Sequence, residues 1–192
     1  MPPASSPSSS STASWPMADA AIGHRLQGRI AIVTGAGSVG PGWGNGRAIA
    51  VRFAREGAHV VAVDRDLPAL EETLALAGDA AWRIEPVRCD VTRADEIAAL
   101  VADCVARHGG LDILVNNVGA PLPGGPVRLS EADWDLQIDV NLKSVFLGCK
   151  YAIPAMEVRG GGSIVNIAST SGIRFTGAAQ VAYAAAKAGV IQ

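Results

Sequence analysis

The sequence predicts an α/β fold: a doubly wound parallel sheet with helices covering both faces. Three observations carry that expectation. Short apolar runs recur at Ile30–Val33, His59–Val63, Ile84–Cys89, Leu111–Val115 and Ser163–Ala168, each of strand length. The first two are rich in Val, Ile and Ala, as strands buried on both faces are. Stretches with helical spacing alternate with these runs, the layout of a parallel sheet joined by crossover helices. The apolar fraction is 49% but the aromatic fraction only 5%, so small aliphatic side chains build the core. At 192 residues one domain with a sizeable core is expected.

Residues 1–24 read as a disordered segment, and 25–192 as the folded domain. The stretch from Met1 to Pro16 is dominated by Ser and Pro and has no periodicity. It offers too little apolar surface to offset its ordering entropy. It lacks the basic and apolar regions of a secretory signal and, with no arginine before Arg25, the character of a transit peptide. Met17 is an alternative start.

After the first strand a helix is expected from Asn45 to Glu56, ended by Gly57. The next runs from Pro68 to Ala77, with Pro68 suited to a first turn and Gly78 to the exit. Beyond the third strand, Asp90 or Thr92 is placed to cap a helix whose apolar face is Ile97, Leu100, Val101, Cys104 and Val105. The fourth strand leads into Asn116-Asn117-Val118-Gly119, and the Pro- and Gly-rich stretch Ala120–Arg128 is a loop. Ser130 and Asp133 have the S-x-x-D form of a helix start. One long helix is expected from there to Met156, bent near Pro154. The fifth strand follows Gly160-Gly161-Gly162, and a last helix begins near Ala182.

The first strand opens into a glycine-dense turn, with Gly35, Gly37, Gly40, Gly42, Gly44 and Gly46 ahead of a helix. Strand, glycine turn and helix let a backbone approach a phosphate closely, with the helix N–H groups and dipole directed at it. The second strand then ends in Asp64, about 20 residues beyond the loop, where a carboxylate accepts hydrogen bonds from an adenosine ribose. Together these features mark a dinucleotide-binding unit. Asp64, Asp90, Asn117 and Ser169 all fall at the carboxyl ends of the expected strands, where ligands of such sheets bind.

Other classes find no support. A net charge of -2 carries no nucleic-acid footprint. No apolar run approaches the roughly 18 residues that cross a bilayer. Cys89, Cys104 and Cys149 are scattered, without disulfide or zinc spacing, and read as reduced residues of a cytoplasmic protein. His24, His59 and His108 form no ligand pattern, so no metal is expected.

Tyr183 and Lys187 stand four apart, on one face of the last helix. A phenol ordinarily titrates near 10, and bringing one to about 7 takes roughly 4 kcal/mol. One ammonium in a partly buried site, helped by a cationic nicotinamide ring, is of the right size to supply that. Read alone, such a pair is far more often a surface i,i+4 contact.

Its neighbours change that reading. Thr34-Gly35 with Gly44-x-Gly46, Asp90-Val91, Asn116-Asn117-Val118-Gly119, Asn141, Ser169 and Tyr183-x-x-x-Lys187 stand in one order along the chain. In this the sequence resembles the short-chain dehydrogenase/reductase family, the branch with a single Rossmann domain, from about Leu26 to the end. The resemblance implies that Tyr183 is the general acid/base, that Lys187 favours the phenolate and holds the nicotinamide ribose, and that Ser169 donates a hydrogen bond to the substrate oxygen. It implies a water held by Asn141, adenine contacts from Asp90 and Val91, and a cofactor lined by Gly35, Gly44, Asn45, Gly46, Asn117 and Gly119. Asn117 would also tie strands together.

The reaction implied is hydride transfer between a nicotinamide cofactor and a small secondary alcohol or ketone. Asp64 suits the ribose diol of NAD and repels a 2′-phosphate, so NAD is expected over NADP, although Arg65 stands beside it. An NADPH-dependent ketoacyl-thioester reductase is the alternative in the same chemistry, and a non-catalytic dinucleotide-binding module the alternative from another class. A homodimer or homotetramer is implied, through the helix Asp133–Met156 and the helix of Tyr183. Substrate choice would lie in Ala120–Arg128, Ile173–Gln180 and a lid further along.

Three features depart from the family pattern. Eight residues separate Gly35 from Gly44 where three are usual, so Ser38–Trp43 contains an insertion. Ser169 lies 14 residues before Tyr183, one more than usual; Thr170 is the other candidate hydroxyl. The family continues for several dozen residues past the Tyr-Lys helix, whereas the sequence stops at Gln192, so a fragment of a longer enzyme is expected.

Overall fold

β-branched residues dominate the first two strands, where their stiff side chains pack well on a pleated surface. The computed structural model describes residues 24–192, so the expectations for the Ser/Pro-rich segment and for Met17 lie outside the described residues, His24 apart. Five parallel strands form one sheet in the order β3-β2-β1-β4-β5. They are β1 (Ile30–Thr34), β2 (His59–Asp64), β3 (Ile84–Arg88), β4 (Ile113–Asn116) and β5 (Ser163–Asn166). The crossovers carry α1 (Asn45–Arg55), α2 (Leu67–Ala77), α3 (Ala94–His108), α4 (Glu131–Ile138) and α5 (Ser144–Val158); α6 (Val181–Ile191) follows β5.

The period of two along β1 divides the core. Ile30 and Ile32 face a cluster with Leu100, Val101 and Cys104 of α3 and Leu147, Ala152 and Met156 of α5. Ala31 and Val33 face the opposite cluster, with Ala50, Val51 and Ala54 of α1 and Leu70 and Ala77 of α2. β1, at the centre, is buried along its whole length, while β5 lies at the sheet edge and is largely exposed. Strand order reverses between β1 and β4, which opens a crevice at their carboxyl ends, where ligands of open α/β sheets bind.

Two local expectations need correction. The helix after Ser130 is not continuous to Met156: a π-helical turn at Asp139–Lys143 separates α4 from α5. There the Ser144 N–H donates to the Asp139 carbonyl, five residues back. The Asn141 side-chain amide takes over the Gln137 carbonyl at 2.9 Å, supplying the donor that the widened turn withdraws. Likewise, neither Asp90 nor Thr92 caps α3, whose N-cap residue is Arg93. Asp90 Oδ1 instead accepts from the Thr92 N–H at 2.9 Å and its hydroxyl at 2.7 Å, closing its own turn. Ser130 does cap α4, its hydroxyl accepting from the Asp133 N–H at 3.1 Å.

Candidate active site

The glycine turn is held from below by strand-end side chains. Asn117, just past β4, donates from Nδ2 to the Thr34 carbonyl at 3.0 Å and the Gly35 carbonyl at 3.2 Å, while its own N–H donates to Thr34 Oγ1 at 3.1 Å. It ties β4 to the end of β1. A Cβ on Gly46 would strike the Gly35 carbonyl oxygen, so only glycine lets α1 start this close to the turn. Asp64 closes the other side, its Oδ2 accepting from the Gly37 N–H at 2.9 Å. Gly37 is therefore part of the cradle, and Asp64 holds the loop as well as facing the crevice.

A dinucleotide fits this donor set. The N-terminus of α1, which starts at Asn45, has Gly44 at its N-cap, with no capping side chain and no acidic residue in the first turn. The positive end of the helix is thus left for an anion such as a pyrophosphate. Asp90 lies at the end of β3, its carboxyl opposed by burial but held below the usual range by the Thr92 hydrogen bonds. Val91 beside it is buried in the core.

On the far side of β4, α6 brings Tyr183 and Lys187 to the crevice. Lys187 is 2% exposed and donates to the Ile167 carbonyl at 2.7 Å, and its Nζ lies 5.9 Å from the centroid of the Tyr183 ring. Burial pushes its ammonium down from the usual lysine value. This is no surface pair. Ser169 caps a 3₁₀ turn, Thr170–Gly172, its Oγ accepting from the Ser171 N–H at 3.2 Å. A Cβ on Gly172 would lie 2.6 Å from the Lys187 carbonyl carbon, so the turn sits directly on α6. Thr170 is exposed on that turn.

Asn141 is fully buried in the π turn, and its Oδ1 accepts from the Ala120 N–H at 3.0 Å. It makes no hydrogen bond to Lys187 among the described residues. The two converge at Gly119, where a Cβ would lie 3.0 Å from Lys187 Nζ and 3.2 Å from Asn141 Oδ1. Sequence reasoning missed Gln137, whose buried amide oxygen accepts from the Leu122 N–H at 3.1 Å and anchors the same loop. It also missed Arg47, a guanidinium on a helix face otherwise filled by Ala50, Val51 and Ala54. A cation at a core-facing position was the available signal.

The loop after β4 and the segment before α6 form one wall. Gly124 donates to the Ala179 carbonyl at 2.8 Å, and the Val181 N–H donates to the Gly124 carbonyl at 3.0 Å. Beside this bridge opens a pocket of about 360 Å³, with Pro126, Phe175, Ala178, Val181 and Ala184 in its walls and Arg174 the one cation. Among the described residues no group of three His, Cys, Asp or Glu side chains is placed to hold a metal, and no helix is long and apolar enough to cross a membrane.

The short chain dehydrogenase profile matches residues 29–192. The chain belongs to the short-chain dehydrogenase family. It is 40% identical over 167 residues to a 3-oxoacyl-(acyl-carrier-protein) reductase of Thermotoga maritima, covering 87% of this chain and 65% of that protein. It is also 40% identical over 165 residues to a 3beta-hydroxysteroid dehydrogenase of Mediterraneibacter gnavus, covering 85% and 57% respectively. Among solved structures, a short-chain dehydrogenase/reductase from Burkholderia xenovorans superposes with a TM-score of 0.86 at 66% identity, covering 88% of this chain and 67% of that one. An actinorhodin polyketide ketoreductase solved with NADPH gives 0.77 at 39%, covering 85% and 61%. The chain thus spans about two thirds of these short-chain dehydrogenases, or somewhat less.

Proposed function

We propose that the intact protein is an NAD-dependent oxidoreductase acting on a small secondary alcohol or its ketone. The observation that carries the reading is the buried Lys187 ammonium, pinned to the strand end and facing the Tyr183 ring in a crevice flanked by a phosphate cradle. Gly35, Gly44, Asn45 and Gly46 would receive the pyrophosphate, Asp64 the adenosine ribose, Asp90 and Val91 the adenine, and Asn117, Gly119 and Lys187 the nicotinamide half. A nicotinamide held there would supply the hydride-transfer chemistry.

The chain's own residues handle the proton. Tyr183 Oη exchanges it with the substrate oxygen, and the Lys187 ammonium favours the phenolate that must form. Ser169 Oγ already accepts from the Ser171 N–H, so its own hydrogen is left to donate to that oxygen. Asn141 keeps the loop at Ala120 and Gly119 against Lys187 and would hold the water through which that ammonium reaches solvent. The apolar walls of the adjoining pocket suit a substrate with an apolar body.

The Asp64 carboxylate favours NAD, since a 2′-phosphate would meet its charge. An NADPH-dependent ketoacyl-thioester reductase is the second reading, favoured by the name of the Thermotoga maritima relative. Phe146 and Ile153, one heptad apart and exposed on α5, support a homodimer or homotetramer. Free thiols at Cys89, Cys104 and Cys149 suit a reducing compartment such as the cytoplasm.

The test is turnover of secondary alcohols with NAD by the wild type and Tyr183→Phe. The reading expects loss of about 10²–10⁴-fold in rate with dinucleotide binding retained. Undiminished turnover would remove Tyr183 from the mechanism. Dinucleotide binding without turnover by the wild type would leave a binding module in place of an enzyme.

A further inference from the structure

We propose that Arg47 and Glu72 are positioning residues for the dinucleotide: as a pair they fix the enlarged glycine loop, residues 38–44, in the shape that receives the pyrophosphate. The inference rests on the cofactor reading above. Arg47, in the first turn of α1, is fully buried. Its Nε donates to Thr73 Oγ1 at 3.1 Å, its Nη2 to the Ala69 carbonyl at 3.0 Å, and its Nη1 to the Gly42 carbonyl. Glu72 Oε2 faces Arg47 Nη2 at 3.0 Å, and Glu72 Oε1 accepts from the Gly42 N–H at 3.0 Å. Both backbone polar groups of Gly42, a residue at φ +84°, are thus held by one ion pair.

The network reaches the other end of the loop. The Thr73 hydroxyl, which accepts from Arg47, donates to the Ala36 carbonyl at 2.7 Å. Between the ties Val39, Gly40 and Pro41 are exposed, and a Cβ on Gly44 would lie 2.9 Å from Ser38 Oγ, so the loop crosses the mouth of α1. Burying a cation is expensive unless it is well paired, and an apolar residue would serve the helix face better. Every partner of Arg47 is the loop or the part of α2 beneath it. The charge is therefore spent on loop geometry.

The experiment titrates NAD and NADP by calorimetry against wild type, Arg47→Gln, Arg47→Lys and Glu72→Gln, and follows hydrogen exchange of the Gly37–Gly44 amides without cofactor. Glu72 is half-exposed, so Glu72→Gln keeps the test open if Arg47→Gln fails to fold. Arg25→Gln, which breaks the ion pair with Glu56 at the other end of α1, is the control for general destabilisation. Expected are a Kd raised about tenfold in Arg47→Gln and several-fold in Glu72→Gln, partial recovery in Arg47→Lys, faster exchange at Gly42, and no change of Kd in Arg25→Gln. Unchanged affinity in folded Glu72→Gln, or equal weakening in Arg25→Gln, would overturn the inference alone. Failure of the wild type to bind either dinucleotide would overturn the cofactor reading with it.

Discussion

The Lys187 ammonium donates to the Ile167 carbonyl at 2.7 Å, and this contact joins α6 to the end of the sheet. Ile167 itself continues the strand ladder, its N–H donating to the Asn116 carbonyl at 2.9 Å. The ammonium is therefore held at a fixed height relative to β4 and β5, with its stem buried and its charge beside the Tyr183 ring. An exposed i,i+4 pair would wander among rotamers and contribute little. Here one backbone acceptor removes that freedom.

Lys187→Met keeps the apolar stem and removes the charge. On the proposed activity, the expected outcome in the intact protein is a fall in turnover of about 10²–10⁴-fold. The fold should persist, because the lost hydrogen bond to Ile167 is offset by relief from burying a charge. Steady-state rates and a denaturant midpoint check both. An active Lys187→Met would refute the assignment, and an unfolded one would make the lysine chiefly structural.

Gly46 and Gly40 make a controlled pair. A Cβ on Gly46 would meet the Gly35 carbonyl oxygen and lie 2.5 Å from Asn117 Nδ2, whereas one on Gly40 meets nothing within 4 Å. Overpacking of this kind costs about 1–3 kcal/mol or more. Gly46→Ala should lower the urea midpoint accordingly and weaken dinucleotide binding, while Gly40→Ala should leave stability within about 0.5 kcal/mol. Equal midpoints for the two variants would show that α1 shifts freely away from the turn.

The strands were readable because β1 and β2 consist of apolar side chains whose burial needs no partner beyond the helices that cover them. The places of Asp64 and Asn117 at strand ends, and of Tyr183 and Lys187 on one helix face, follow from the strand and helix periods, whereas the roles proposed for Asn117, Tyr183 and Lys187 come from the family resemblance. The π turn was not readable. It depends on Asn141 finding the backbone of Ala120, a contact made only once the loop after β4 has folded back. The role of Arg47 was hidden for the same reason, since Thr73 and Glu72 reach it from another helix. The cap of α3 failed locally: Asp90 found donors in Thr92 before it could serve the helix.

Asp64→Asn tests cofactor choice without dismantling the loop. An asparagine keeps an oxygen to accept from the Gly37 N–H, now at 2.9 Å from the carboxylate, while the charge that opposes a 2′-phosphate disappears. The ratio of NADP to NAD affinity should rise by about tenfold, equivalent to about 1.4 kcal/mol. Kd values for both cofactors measure it. A wild type that already prefers NADP would favour the thioester-reductase reading.

Acid stability should depend on Glu56 at the end of α1. The Arg25 guanidinium donates to its Oε1 at 2.6 Å, and Arg52 pairs with the same oxygen at 2.5 Å. The Arg25 hydrogen bond, against the opposing effect of burial, holds the Glu56 carboxyl at about 2, below its ordinary value of 4.5. A group whose folded value is depressed binds its proton more readily when unfolded, so its stabilisation is complete above the unfolded value and is lost as pH falls. The window runs from 4.5 down to about 2. Glu56→Gln should therefore be less stable than wild type at neutral pH, and the difference should shrink across that window. Asp112 and Asp90, also held below the usual carboxylate range, keep some acid sensitivity in both proteins. Urea midpoints of the two proteins at steps from pH 7 downward measure the change, and parallel curves would mean that the Arg25 contact contributes nothing to folding.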